Sequence, residues 1–376
     1  MKIAHVVDSM DMGGAEMMIL SLCEEHQRLG HNVSVDCLYR KGVLVPKLEA
    51  LGVPVRLHGP GNFWKIGRKL YRSLRERRIE AVHCHNVVAS IIGMPAARFA
   101  GAGAVISTRH GISTPPFTLR RHGAFWLAAR CADRVVAVCS QARQNLALAP
   151  FAMPAKLTSI LNGARPAASL GSRPELGNRG VVAIMVARLA PPKDHATLLH
   201  ALANASQRCP DLELWIVGDG PDHHRLVSIA AELQIQNRVR FLGECSDVGD
   251  LLTQADLFVL SSRSEGVPIS VLEALAAGLP VIVSAVGGMP EVVDLSGAGL
   301  SVQPSDLAAL TDALVTLASH ESIRRSLGQR ARAAYLAHFT LTRMAEQYLN
   351  LYTECFRERR AGLAAAAADL STGISS

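Results

Sequence analysis

The chain opens MKIAHVVDSMDMGGAE (residues 1–16), and this stretch sets a pattern that the rest repeats. Residues 3–7, apolar apart from His5, form a run of strand length that stops at Asp8. Two adjacent glycines, Gly13 and Gly14, then mark a turn, and an amphipathic helical pattern follows Glu16. A strand that is apolar without alternation is buried on both faces, as in a parallel sheet covered by helices on each side. Similar runs recur at 33–37, 53–57, 81–84, 105–107 and 135–138, with helical segments between them. This βαβ rhythm predicts a doubly wound α/β domain over residues 1–163.

The rhythm stops after Ile160, where NGARPAASLGSRPELGNR (162–179) is rich in Gly, Pro, Ser and Arg. We read 164–179 as a linker. Runs at 181–186, 212–217, 239–242, 257–260 and 281–284 then restart the rhythm and predict a second doubly wound domain over 180–335. In such sheets ligands sit beyond the carboxyl ends of the strands, so two domains facing across a cleft are expected to share one site. The last helical pattern, 336–358, is expected to pack back on the first domain. The alanine-rich tail 359–376 offers no evident packing partner and reads as frayed or disordered.

With 376 residues, 49% of them apolar and 19% charged, the chain can fill two cores and is too apolar for a disordered protein. Its net charge of +7 suits an anionic partner without selecting among nucleotides, phospholipid surfaces and nucleic acids. The eight cysteines form no C-x-x-C pair, which argues for buried, reduced thiols rather than a zinc site or disulfide framework. The N-terminus lacks the long apolar core of a signal peptide, and no apolar run has the length of a membrane span. The expected location is the cytoplasm or the inner face of a membrane.

Several motifs carry chemistry. Gly13 and Gly14, at a strand-to-helix turn, would let backbone N–H groups approach a phosphate; a tight turn needing positive φ is the alternative. Gly218-Asp219-Gly220-Pro221 follows a second-domain strand, but His223 occupies the place of the third glycine in G-x-G-x-x-G, so a nicotinamide fingerprint is not supported. The most informative segment is Ser261-Ser262-Arg263-Ser264-Glu265-Gly266-Val267-Pro268, continuing through Glu273 to Gly278-Leu279-Pro280. Glu265 stands on a loop before a helix that starts near Ile269, and Glu273 lies within that helix. Both can face one cleft, where carboxylates accept strong hydrogen bonds from a hydroxyl-rich ligand.

This segment resembles the E-x7-E signature of retaining GT-B glycosyltransferases, specifically glycosyltransferase family 4, also called glycosyl transferases group 1. Further resemblances run in order along the chain: GGAE at 13–16, Thr108-Arg109-His110-Gly111, Asn162-Gly163, Ala187-Arg188-Leu189 with Lys193, GDGP at 218–221, Phe241-Leu242-Gly243, and Gly287-Gly288-Met289-Pro290-Glu291. The resemblance implies a GT-B fold and a nucleotide-sugar donor, most often a UDP-sugar. It implies that Glu273 binds the donor ribose, that Glu265 contacts the transferred sugar, and that Arg188 and Lys193 grip the diphosphate. Two fixed cations would stabilise the charge that grows on the leaving phosphate, substituting for a metal; no metal and no separate cofactor is expected. Gly13, Gly14, Gly218 and Gly266 would border the donor, and His110 would stand near the anomeric centre. Arg109 departs from the usual family pattern, which leaves the geometry of that loop open. Retention would come from front-face displacement, in which the leaving phosphate takes the acceptor's proton.

On the acceptor side, His83 and His85 (VHCHN) end a strand and either line the acceptor or belong to the core. The segment FWKIGRKLYRSLRERR (63–78) has seven basic residues against one acid, interleaved with aromatic and aliphatic ones. It reads either as a crossover helix of the sheet or as a helix that touches an anionic membrane. The expected acceptor is a glycan or a lipid-linked glycan in surface polysaccharide or glycolipid assembly. No basic-aromatic strand motif or recognition helix supports a nucleic-acid partner. A GT-B nucleotide-sugar epimerase and a non-catalytic nucleotide-sugar-binding scaffold are the alternative readings.

Overall fold

A computed structural model describes residues 1–111, 119–166, 180–245 and 247–372, so most of the expected linker lies outside the described residues. The chain forms two compact units, one of residues 1–161 together with those from Leu341 onward, the other of residues 162–340.

Among the described residues the first unit holds a parallel sheet of β1 (Lys2–Val7), β2 (Asn32–Cys37), β3 (Val55–Leu57), β4 (Ala81–His85), β5 (Ala104–Arg109), β6 (Arg134–Ala137) and β7 (Leu157–Ser159). Their order is β3-β2-β1-β4-β5-β6-β7. The second unit holds β8 (Val182–Val186), β9 (Glu213–Val217), β10 (Val239–Gly243), β11 (Leu257–Leu260), β12 (Val281–Ser284) and β13 (Gly299–Val302), in the order β10-β9-β8-β11-β12-β13. Each sheet therefore reverses direction once, between β1 and β4 in the first and between β8 and β11 in the second. These are Rossmann-like, doubly wound sheets. Their central strands carry the core: the side chains of Ile3, Ala4, Val6, Ile184, Phe258, Val259 and Ile282 are fully buried.

Strands β7 (LTS) and β13 (GLSV), partly buried edge strands, escape a search for apolar runs because each is short and carries few apolar residues. The helix Phe63–Arg77 joins β3 to β4 and buries Ile66, Leu70 and Leu74, so it is a crossover helix. Its start is capped by Asn62, whose side chain accepts from the Lys65 N–H at 3.0 Å. Six cysteines, Cys23, Cys37, Cys84, Cys139, Cys209 and Cys355, are buried, two are half-buried, and none forms a disulfide.

The last helix, Leu341–Thr372, belongs to the first unit. Met344, Ala345, Tyr348, Leu351, Tyr352 and Cys355 recur at helical spacing and are buried on it. Gly103 sits where any Cβ would collide with the Phe356 ring, so glycine lets this helix approach closely. The helix continues through the alanine-rich stretch that the sequence suggested would fray, in keeping with alanine's high helix propensity. Residues 373–376 lie outside the described ones. Where the chain leaves the second unit, Ala164 N–H donates to the Phe339 carbonyl at 3.0 Å and Tyr335 OH to the Ala164 carbonyl at 2.9 Å. These bonds tie the entering and departing segments together.

Candidate active site

In the second unit Arg188, Lys193 and Glu265 lie beyond the carboxyl ends of β8 and β11, the two strands that flank the reversal. β8 runs into Ala187-Arg188-Leu189, and a 3₁₀ turn at Pro191–Lys193 follows. β11 runs into Ser261 and the loop that carries Glu265. Lys193 Nζ meets Glu265 Oε1 at 2.5 Å, with the carboxylate largely buried and the lysine more open. An ammonium has three donors on a flexible stem, so Lys193 can hold Glu265 and still face a phosphate. Arg188 is exposed and makes no hydrogen bond or ion pair among the described residues.

The two loops are clamped by Asp194. Arg263 donates to it through Nε and an Nη, both at 2.9 Å, and Ser305 Oγ adds a third bond at 2.8 Å. Ser261 Oγ lies 3.1 Å from the carbonyls of both Lys193 and Asp194, and the Arg263 N–H donates to the Pro192 carbonyl at 2.8 Å. Burial opposes the charge of Asp194, but the bonds from Arg263, Ser305 and Thr197 outweigh it and hold the carboxyl below its usual range. Asp194 also adopts φ of +51°, a left-handed conformation that a non-glycine residue keeps only when its surroundings demand it.

The GDGP turn explains its glycines by close backbone approach. Gly218, at φ +127°, lies against the Ala187 carbonyl, and Gly220 against that of Leu189, with no space for a Cβ at either. The Leu189 N–H donates to the Asp219 carbonyl at 3.0 Å, so this turn supports the backbone on either side of Arg188. Gly266 accepts from the Gly288 N–H at 2.9 Å, which joins the Glu265 loop to the GGMPE segment. The helix Ile269–Ala276 starts after Pro268 with no side-chain cap. Glu273, in its second turn, is half-buried and has no partner among the described residues. Burial raises the pKa of its carboxyl.

In the first unit, Gly13 is the N-cap of the helix Gly14–Arg28 and has φ of −169°, an extended value open to any residue. Positive φ therefore does not account for it, which corrects the tight-turn alternative. At Gly14 a Cβ would meet nothing within 4 Å, so its lack of a side chain leaves open space over the helix start. His110 follows β5. Its Nε2 lies 2.9 Å from His85 Nδ1, and its backbone N–H donates to Asn86 Oδ1 at 3.4 Å. Burial and then the charge of Arg109 push its pKa down to about 4, so the ring is neutral at physiological pH. His83 and His85 are both buried, and His83 binds Tyr352 OH at 2.9 Å and Thr108 Oγ1 at 2.7 Å, which places them in the core rather than on an acceptor-lining surface.

Two features were not anticipated from the sequence. The first is the Asp194 clamp, whose partners Arg263 and Ser305 are 69 and 111 residues away. The second is a buried histidine cluster in which His5, His83 and His85 bring ring nitrogens within 4.8 Å of one another, a set that could hold a metal ion. The signal for it was present as alternation: His5 in β1, His83 and His85 two apart in β4, and Thr108 and His110 two apart at the end of β5.

The unpartnered Glu273 generates a test. A carboxyl with a raised folded-state pKa favours folding less once pH rises above the ordinary glutamate value of 4.5, and the deficit persists at higher pH. Glu273→Gln removes the charge and keeps the shape. Its melting temperature is expected to exceed that of the parent at about pH 8 by a few degrees and to converge with it at about pH 4. A variant no more stable at the higher pH would mean that the carboxylate is already compensated.

Comparison with known proteins places this geometry. The family profile described as "Glycosyl transferases group 1" matches residues 173–334, and that described as "Glycosyltransferase Family 4" matches residues 12–167. A GDP-mannose-dependent alpha-(1-6)-phosphatidylinositol monomannoside mannosyltransferase of Mycobacterium tuberculosis is 31% identical over 70% of this chain and 72% of its own. A UDP-Gal:alpha-D-GlcNAc-diphosphoundecaprenol alpha-1,3-galactosyltransferase of Escherichia coli is 28% identical over 76% of this chain and 78% of its own. Other relatives match over shorter stretches, in one case 40% of the relative's length. Among solved structures, Anabaena Alr3699/HepE in complex with UDP superposes with a TM-score of 0.82 at 21% identity, covering 94% of this chain and all of that one. With both family profiles matching in order and a relative of this identity aligned over most of its length, the chain belongs to glycosyltransferase family 4, the glycosyl transferases group 1, and has the GT-B type of fold.

Proposed function

We propose that this glycosyltransferase moves a hexose from a UDP-sugar to a lipid-linked acceptor, with retention of anomeric configuration and with protein cations in place of a metal. The observation that carries this reading is the meeting of Lys193 and Glu265 on the loops after β8 and β11, with Arg188 on the first of these loops and Glu273 on the helix that follows the second. A diphosphate needs fixed positive charge as its bond to the sugar breaks, and Arg188 and Lys193 supply it from loops braced by the GDGP turn and by Asp194. Glu273, half-buried and without a partner, suits two adjacent ribose hydroxyls as hydrogen-bond donors. Glu265 would accept from hydroxyls of the transferred sugar while remaining paired with Lys193. In a front-face displacement the acceptor oxygen bonds to the anomeric carbon, the bond to the diphosphate breaks, and the acceptor proton passes to the leaving phosphate. His110, neutral at physiological pH, adds no charge that would oppose the developing cation.

The donor and acceptor classes rest on the relatives. Alr3699/HepE was captured with UDP, the E. coli relative is named for UDP-Gal and GlcNAc-diphosphoundecaprenol, and the mycobacterial one for GDP-mannose and phosphatidylinositol monomannoside. A surface of the first unit fits such a lipid context. Trp64 is 84% exposed, Phe99 75% and Leu127 65%. They border an apolar groove of about 800 Å³, and Lys65, Arg68 and Arg72 are exposed on the same helix as Trp64. Aromatic side chains beside exposed cations match the interface of an anionic bilayer. No helix among the described residues is long and apolar enough to cross a membrane, so contact through this face would be peripheral.

UDP at about one hundred times its dissociation constant would stabilise the folded chain by about 2.7 kcal/mol, a shift of several degrees in melting temperature. GDP, ADP and CMP are expected to give less, and Arg188→Ala and Glu273→Ala to abolish the UDP shift. An equal shift in these variants would place the nucleotide elsewhere. For the surface, co-sedimentation with phosphatidylglycerol vesicles is expected to fall at least tenfold on reversing Lys65, Arg68 and Arg72 to Glu, with little binding to phosphatidylcholine at any time. Unchanged sedimentation of the reversed variant would remove the membrane from the proposal.

A further inference from the structure

The histidine stripe of the first sheet does not behave as a set of independent core residues. His5 pairs in register with His83, and His85 with Thr108, so these side chains lie on one face of the parallel sheet. The last helix covers that face with Tyr348 and Tyr352. Two hydrogen-bonded systems result. In the first, His83 uses both ring nitrogens on hydroxyls, those of Tyr352 and Thr108, and Thr108 Oγ1 lies 3.1 Å from Tyr348 OH. In the second, His5 Nδ1 meets His85 Nε2 at 2.9 Å, and His85 Nδ1 meets His110 Nε2 at 2.9 Å. The rings stack, with centroids 5.2 Å apart for His5 and His85 and 5.1 Å apart for His85 and His110.

Counting protons fixes what this second chain can do. Three neutral imidazoles carry three N–H groups. Each of the two internal bonds takes one, and the third must stand at an outer end, on His5 Nε2 or on His110 Nδ1. His5 Nε2 is buried and has no partner. A buried N–H without an acceptor is rarer and harder to tolerate than an under-satisfied acceptor. The outer proton therefore belongs on His110, and the bonds run from His5 to His85 to His110.

We propose that His5 and His85 are positioning residues that fix His110 as its Nδ1–H tautomer, so that it offers a neutral N–H donor to an oxygen of the bound sugar. The last clause rests on the function proposed above; the tautomer itself does not. All three rings are assigned the Nδ1–H form, the opposite of the Nε2–H form that an isolated neutral histidine favours. The charged groups around the chain leave it neutral. Burial holds His5 and His85 well below the usual imidazole range, with further lowering from His26 at His5 and from His83 and His110 at His85. Arg109, next to His110 on β5, acts in the same direction, and the covering helix contributes only Tyr348 and Tyr352, both buried phenols held protonated. A metal ion on His5, His83 and His85 would have to break hydrogen bonds at His83 and His85, whose ring nitrogens are all engaged, in a pocket where the trio itself brings no carboxylate to balance its charge.

The tautomer can be read without substrate. Long-range ¹H–¹⁵N correlation on the full chain labelled at histidine, with His110→Gln to assign the signals, is expected to show a pyrrole-type Nδ1 and a pyridine-type Nε2 at His110. His85→Phe keeps the stacked ring and removes the donor, and is expected to return His110 toward the Nε2–H form, as is His5→Phe to a smaller extent. An Nε2–H signal at His110 in the unaltered chain would overturn the proposal, and that spectrum decides the matter even if a variant fails to fold. Stoichiometric paramagnetic shifts of the cluster on adding Co²⁺ would overturn it in favour of a metal site. Loss of UDP binding elsewhere would leave the tautomer result intact, and the reverse also holds.

Discussion

The constraint on which the structure depends is the reversal of strand order in each parallel sheet. Crossover connections between parallel strands are right-handed, so helices that succeed one another in one direction cover one face, and those that follow the reversal cover the other. At the reversal the loops part, and the carboxyl ends of two adjacent strands open onto a crevice. In the first unit this happens between β1 and β4, and the residues placed there are the Gly13-Gly14 turn and, past β4 and the neighbouring β5, Asn86 and His110. In the second unit it happens between β8 and β11, and the residues are Arg188, Lys193 and Glu265. The candidate residues are found where the topology leaves space for a ligand.

Shape alone would not hold two long loops in register beyond β8 and β11. Asp194 does this by collecting Arg263, Ser305 and Thr197 on one buried carboxylate while the serine at 261 binds backbone carbonyls across the gap. Charge is concentrated nearby but handled unevenly: Asp194 and Glu265 are compensated, whereas Arg188 and Glu273 lack partners within the described residues. Arg188 is solvated, whereas Glu273, on a helix, carries a burial penalty on its charge, and these are the groups that the proposed ligand would complete. The first unit meets the same problem differently, keeping its imidazoles neutral by burial and by mutual hydrogen bonding.

Much of this was legible in the sequence because both sheets are parallel. Central strands such as β1, β8 and β11 must be apolar on both faces, so they appear as continuous runs, and the residues just after each run are the candidates for the site. The edge strands β7 and β13 were not legible, since LTS and GLSV are short and hold too few apolar residues to stand out as runs. Glycine roles were legible only in part: GDGP announced a close approach, but Gly13 and Gly14 pointed equally to a strained turn until their backbone angles were seen. The Asp194 clamp and the histidine chain depend on contacts between residues far apart in sequence, which spacing within one segment cannot reveal. The basic helix Phe63–Arg77 shows a further limit, because a single amphipathic pattern served both the sheet, through Ile66, Leu70 and Leu74, and the exposed cationic face.

The claim that unites these features is that the paired cations and carboxylates of the second unit release a nucleotide only when an acceptor takes the sugar. The most direct measurement follows UDP release from a panel of UDP-hexoses, with and without vesicles carrying a polyprenyl-diphosphate-linked sugar. The account predicts release that depends on the acceptor and yields a product with the anomeric configuration of the donor. Conversion of the donor to an epimer, or release indifferent to the acceptor, would contradict it.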